Sequence, residues 1–170
     1  AVATIGELGL SDVRVWKASH FGGHRFAPTA IDFPDGRYYG ALDQSSFKSI
    51  LMRVGEIQCL NQVYRGWGIL PHPLQVLERE FILRYGWDWF NYKVAGKIIE
   101  QNSDKSLIQA ELSFEKPNGF GCSYRADLVK DGSKTLQLKG SCGASKEFVF
   151  VKYAVTNLRL VAERLVCLNT

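Results

Sequence analysis

The 170-residue chain is 46% hydrophobic and 22% charged, enough to bury one good core or two small ones sharing a seam. Its 21 basic and 17 acidic residues give a formal charge of +4 and are scattered, so the charge pattern does not point to nucleic acid. No stretch approaches the ~18 consecutive apolar residues of a membrane span, and a soluble protein with no span is expected.

Val2, Ile5 and Leu8 stand three apart, which predicts the last two turns of an amphipathic helix. The opening residues carry no basic n-region and no cleavage-site pattern, so they are not a signal peptide. A chain that opens inside a helix is expected to be cut from something longer. Gly9 supplies a stop, and Val13 to Ala18 alternates like a half-buried strand. After a histidine-containing turn, Thr29 to Phe33 and Arg37 to Leu42 read as strands joined by Pro34-Asp35-Gly36. Asp43 is a plausible N-cap for a helix over Gln44 to Arg53. The order helix, strand, turn, hairpin, helix is that of the C-terminal half of a thioredoxin-like domain. Pro28 sits where such a fold often places a cis proline.

From Gly55 to Leu70 the pattern is irregular. Pro71 and Pro73 open a second helical segment over Leu74 to Tyr85, with Val76, Leu77, Phe81 and Ile82 inward. Period-two runs follow at Tyr92 to Glu100, Leu107 to Glu115, Gly121 to Val129, Thr135 to Gly140 and Phe148 to Ala154. They predict an antiparallel meander, closed by a helix or last strand over Asn157 to Leu168. The expected class is α/β (α+β), with a partial thioredoxin-like domain over 1–56 and a helix-plus-sheet accessory domain over 57–170.

The sharpest chemical feature is His20-Phe21-Gly22-Gly23-His24. Two imidazoles four apart face one side if the segment is helical or tightly turned, and Gly22 and Gly23 let backbone approach a bulky inorganic centre. The plainer reading makes one a turn histidine and the other a surface residue. A zinc site needs three or four ligands, and further candidates are Cys122 and Cys142, read on neighbouring strands, or residues upstream of Ala1. Cys59, Cys122, Cys142 and Cys167 show no C-x-x-C spacing; as free thiols in a cytoplasmic compartment they read as small buried hydrophobes. His72, between two prolines, reads as a rigid loop residue. Tyr85, Trp87, Trp89, Phe90 and Tyr92 read as core in preference to a binding surface. Tyr64 and Arg65 have no propensity reason to stand in a Gly-rich loop. Glu78, Glu80 and Asp88 do not make the facing carboxylate pair of a glycosidase, and no hydrolase elbow or nucleotide fingerprint is present.

Val15-Trp16-Lys17-Ala18-Ser19-His20-Phe21-Gly22-Gly23-His24-Arg25-Phe26-Ala27-Pro28-Thr29-Ala30, with Tyr38-Tyr39-Gly40, closely resembles the sucrase/ferredoxin-like family of thioredoxin-like ferredoxins. Gln58 to Gly68 and Arg84 to Phe90 resemble its cyanobacterial branch. The resemblance implies an electron-transfer protein holding a 2Fe–2S cluster through two cysteines and two histidines, the latter matching His20 and His24, with a redox partner protein. It places those cysteines before the opening helix, where this chain's four do not fall, so the cluster is expected in the full-length protein and not in this chain alone. Arg25 would favour a reduced cluster or an acidic partner by attraction, or is a solvated surface residue. The rival reading is a non-redox binding or structural module with vestigial histidines; a weaker one is a mononuclear zinc site using His20, His24 and a cysteine.

Overall fold

A computed structural model describes residues 1–19, 24–139 and 145–165, His24 by its backbone alone. The class is mixed α+β, and the chain divides into two units. The first comprises 1–69 and 82–87, the second 70–81 and 88–170.

In the first unit, α1 spans Val2–Glu7. Gly9, at φ +65°, ends it: the Gly9 amide donates to Gly6 O at 3.1 Å and Leu10 to Ile5 O at 3.2 Å, satisfying carbonyls the helix leaves over. Only Ile5 of the predicted apolar row is buried, and Val2 is 67% exposed. The strand expected over Val13 to Ala18 does not form. Its alternation has no neighbouring edge to pair with, and Trp16 stands 85% exposed.

Strands β1 (Thr29–Asp32) and β2 (Arg37–Gly40) pair antiparallel, Thr29 against Gly40 and Asp32 against Arg37. The connection takes in Phe33 as well as Pro34-Asp35-Gly36, closed by the Gly36 amide on Asp32 O at 2.7 Å. The peptide bond before Pro28 is cis, as is that before Pro34. Helix α2 (Gln44–Met52) starts at a capping box: the Ser46 amide donates to the Asp43 carboxylate at 2.7 Å, and the Asp43 amide to Ser46 Oγ at 2.9 Å. It stops at Arg53 in the left-handed region. The stretch read as irregular holds α3 (Ile57–Val63), which buries Leu60 and Val63, and β3 (Tyr64–Trp67), which pairs with β2 to complete the sheet β1-β2-β3.

Helix α4 (His72–Tyr85) gives the second unit Leu74, Leu77 and Phe81, all fully buried, while Val76 is half-buried. After a 3-10 turn over Gly86–Asn91 come β4 (Lys93–Gln101), β5 (Leu107–Glu115), β6 (Phe120–Lys130), β7 (Leu136–Lys139), β8 (Glu147–Phe150) and β9 (Tyr153–Leu165). The antiparallel sheet runs β4-β5-β6-β9, so the last element is a strand. The runs at 135–140 and 148–154 do not extend the meander: β7 and β8 pair with each other. Ile108, Ala110, Leu112 and Phe114 alternate onto the buried face with Cys122, Ala126 and Leu128. Phe81 joins them, its ring 5.4 Å from Trp89, 5.8 Å from Phe114 and 5.0 Å from Tyr124. Trp89 is thus core, as the aromatic density predicts, while Tyr92 packs against it half-buried. Over β4 the helix comes so close that a Cβ on Gly96 would stand 3.1 Å from Leu74.

Candidate functional site

His20, Gly22 and Gly23 lie outside the described residues, as do Cys142 and Cys167. The backbone of His24 opens a 3-10 turn, His24–Phe26, that leads into Pro28 and β1. What the structure defines is how the exit of the histidine motif is held. Phe26 O accepts from the Ala41 amide, and Pro28 O from the Leu42 amide at 3.1 Å. These two bonds strap residues 26–28 across the corner where β2 gives way to the α2 cap.

The strap lies against Gly40, where a Cβ would come within 2.8 Å of Phe26 Cβ and 3.1 Å of Phe26 O. No larger residue fits there without moving the strap. Ala41 takes a φ of +58° to turn the corner. Arg65, on β3, reaches over the same place. Its guanidinium carbon lies 4.7 Å from the Phe26 ring centroid, and it donates to Gly40 O at 3.4 Å and Tyr64 O at 3.3 Å. Arg25 is exposed and lies 4.8 Å from the same centroid. Two guanidinium groups therefore share the aromatic ring two residues beyond His24. No acidic residue occurs between Val13 and Ile31, whereas Arg14, Lys17 and Arg25 do.

On the other face of the hairpin a buried polar network fixes the sheet. Arg37 is 2% exposed; it donates to the Tyr64 hydroxyl at 2.9 Å and lies 4.3 Å from the Trp67 ring centroid. Trp67 in turn donates to Asp35 O at 2.6 Å. Arg53 bridges Asp32 at 2.7 Å and Asp35 at 3.4 Å. Burial pushes the Asp32 carboxyl up against the opposing pull of Arg53. Burial also raises the Tyr39 phenol, so it stays protonated. Tyr64 and Arg65 thus have structural duties on opposite faces. Arg37 and Gly40 were not singled out in the sequence, although a glycine inside a strand signals close backbone approach.

The two described thiols offer little to complete a ligand set. Cys59 is half-buried on α3. Cys122 is buried on β6, whose neighbours are β5 and β9, so the expected pairing with the strand leading to Cys142 is not made. Burial and then the charge of Glu163 push the Cys122 thiol up, which disfavours the thiolate a metal needs. Among the described residues no three His, Cys, Asp or Glu side chains come together as a metal site. Glu78 is fully buried, with the Trp89 indole donating to it at 3.0 Å. Among the described residues no helix is long and apolar enough to cross a membrane.

Residues 3–66 match the family model described as Sucrase/ferredoxin-like. This segment belongs to the sucrase/ferredoxin-like family. The match takes in α1, the histidine motif, the strap, the hairpin, α2 and α3, and stops at Gly66 within β3. Arg84 to Phe90 lies beyond it. No curated protein and no solved structure matches the chain. The matched segment carries His20 and His24 with Arg14, Lys17 and Arg25 close by in sequence and no acidic residue between Val13 and Ile31.

Proposed function

We propose that the sucrase/ferredoxin-like segment is the histidine-bearing side of an electron-transfer site, with His20 and His24 as ligands to one iron of a 2Fe–2S cluster. Two thiolates from a cysteine motif ahead of α1 would complete the set in the longer protein, and a redox partner protein would exchange electrons with it. The observation that carries this reading is the strap. The backbone just after His24 is tied by two hydrogen bonds to β2, packed on a glycine that admits no side chain, and covered by Arg65. A metal ligand needs that kind of fixed support.

When bound, a 2Fe–2S cluster supplies one-electron transfer, at a potential that neutral imidazoles raise relative to an all-thiolate set. This chain's residues would do the rest. Gly40, Ala41 and Leu42 hold the motif's exit in place. Arg25 and Arg65 add positive charge that favours the electron-rich form.

Full-length protein purified without oxygen should contain iron and acid-labile sulfide and absorb in the visible. His20→Ala or His24→Ala should weaken or shift that absorption. A colourless, iron-free preparation refutes the proposal.

A further inference from the structure

The exposed face of the β4-β5-β6-β9 sheet carries a charge pattern that folding alone does not explain. The register sets three rows across the four strands. One row reads Lys93, Glu115, Gly121, Arg164, and another reads Lys97, Glu111, Arg125, Arg159. Between them lies Ala95, Ser113, Ser123, Ala162, which with the first row lines a hollow of about 370 Å³.

Five cations therefore face two carboxylates, and both carboxylates are already engaged. Glu115 meets Lys93 at 3.0 Å, while Glu111 meets Lys97 at 2.9 Å and Arg125 at 2.7 Å. Arg125 and then Lys97 hold the Glu111 carboxyl below its usual range. Arg159 and Arg164 have no carboxylate partner among the described residues. Moreover, Arg159 stands directly opposite Arg125, a like-charge cross-strand pair in which Glu111 engages Arg125 and not Arg159.

The geometry points to this face as a docking surface for an acidic peptide segment of a partner protein. The outer rows are four residues apart along β4, β5 and β6, roughly 13 Å, and five apart on the bulged β9, and the four strands span about 14 Å. A short extended segment lying along the small-residue row reaches Arg125 and Arg159 on one side and Arg164 on the other. Arginine forks suit carboxylates at those points. The three rows hold no aromatic ring on which a nucleic-acid base would stack and no large aliphatic side chain to enter a membrane. This inference is independent of the iron–sulfur reading.

The test is the 170-residue chain titrated into fluorescein-labelled hexaglutamate, followed by anisotropy. Binding should be present at about 0.01 M salt, where the Debye length is ~30 Å, and lost at about 1 M, where it is ~3 Å. Arg159→Glu and Arg164→Glu should each weaken it by about tenfold or more, one charge-assisted contact. Lys130→Glu, the same charge change away from the three rows, should leave it within about twofold. Arg159→Thr, which removes the like-charge pair, should weaken binding while keeping thermal stability at or above that of the parent chain. The proposal is overturned by absence of salt-sensitive binding, or by Lys130→Glu acting as strongly as Arg159→Glu. It is equally overturned if oligodeoxythymidylate of matched charge binds as tightly and is lost with the same arginines.

Discussion

Replacing Gly40 by alanine tests whether the strap is held as described. The added Cβ would stand 2.8 Å from Phe26 Cβ, 3.1 Å from Phe26 O and 3.3 Å from Arg65 Nε. The arginine end is flexible and can swing away, but the other two atoms belong to the strap's own frame. Overpacking against such atoms costs about 1–3 kcal/mol. Gly40 does not use a positive φ, so alanine returns about 0.4–1 kcal/mol by narrowing the unfolded ensemble. The net loss is about 1–2 kcal/mol, which at ~2–4 °C per kcal/mol for a chain of this length lowers Tm by about 2–8 °C. Urea unfolding measures the first quantity. Amide exchange locates it, because the Ala41 and Leu42 amides donate to Phe26 O and Pro28 O and should lose protection before the rest of the sheet. A variant as stable as the parent, with both amides still slow, would show that Phe26 does not sit on Gly40. The link from the strap to the histidine motif would fall with it.

Arg37→Met leaves the buried Tyr64 hydroxyl without its donor and Asp35 without that guanidinium, and should cost about 2 kcal/mol in urea unfolding; a neutral result means the network does not hold the sheet. Trp89→Phe keeps the ring stacked on Phe81 but removes the indole donor from fully buried Glu78, so a loss of about 1–3 kcal/mol is expected, and Glu78→Gln should lessen it. The Glu111 carboxyl is lowered in the folded state by Arg125 and Lys97, so its stabilisation is complete above the ordinary value of 4.5 and declines as pH falls below it through the lower folded-state value. Acid unfolding of Glu111→Gln should accordingly be less steep below that point, and an unchanged acid limb would count against the pair of bridges.

Elements with complete local signals were legible. The Asp43 cap predicted α2 to within a residue, and the alternation of Leu107 to Glu115 is β5 end for end. What was not legible depended on partners far along the chain. Val13 to Ala18 has a strand's alternation but no edge to join, while Tyr64 to Trp67 looks irregular yet becomes a strand because β2 offers one. The alternation of Thr135 to Gly140 suggests the meander, yet β7 pairs with β8, for the same reason: period two says that a residue pairs, not with what. At the site, the two histidines and Arg25 announce themselves in sequence. Arg65 stands out in sequence without its role, while Gly40, Ala41 and Leu42, which with it anchor the motif's exit, take that role only through the fold. Arg37 was missed because a buried arginine runs against composition, and only the meeting of Tyr64, Trp67 and Asp35 satisfies it.

Two ways of binding a polypeptide are open to an antiparallel sheet, addition at an edge and docking on a face, and the second unit's sheet is built against the first. β4 is one edge, and its register shifts between Ile98 and Glu100. β9 is the other; it shifts twice, and Asn157 within it takes a φ of +51°. Each bulge breaks the even spacing of free amides and carbonyls that an added strand would need and increases the local twist. Lys93 and Lys97 on β4, with Arg159 and Arg164 on β9, place further charge along both margins. The same cations that deter strand addition point across the exposed face, where the row of alanines and serines leaves room between them. An acidic segment running across the strands uses those charges without needing a regular edge, so the bulges and the basic rows favour one mode of contact over the other.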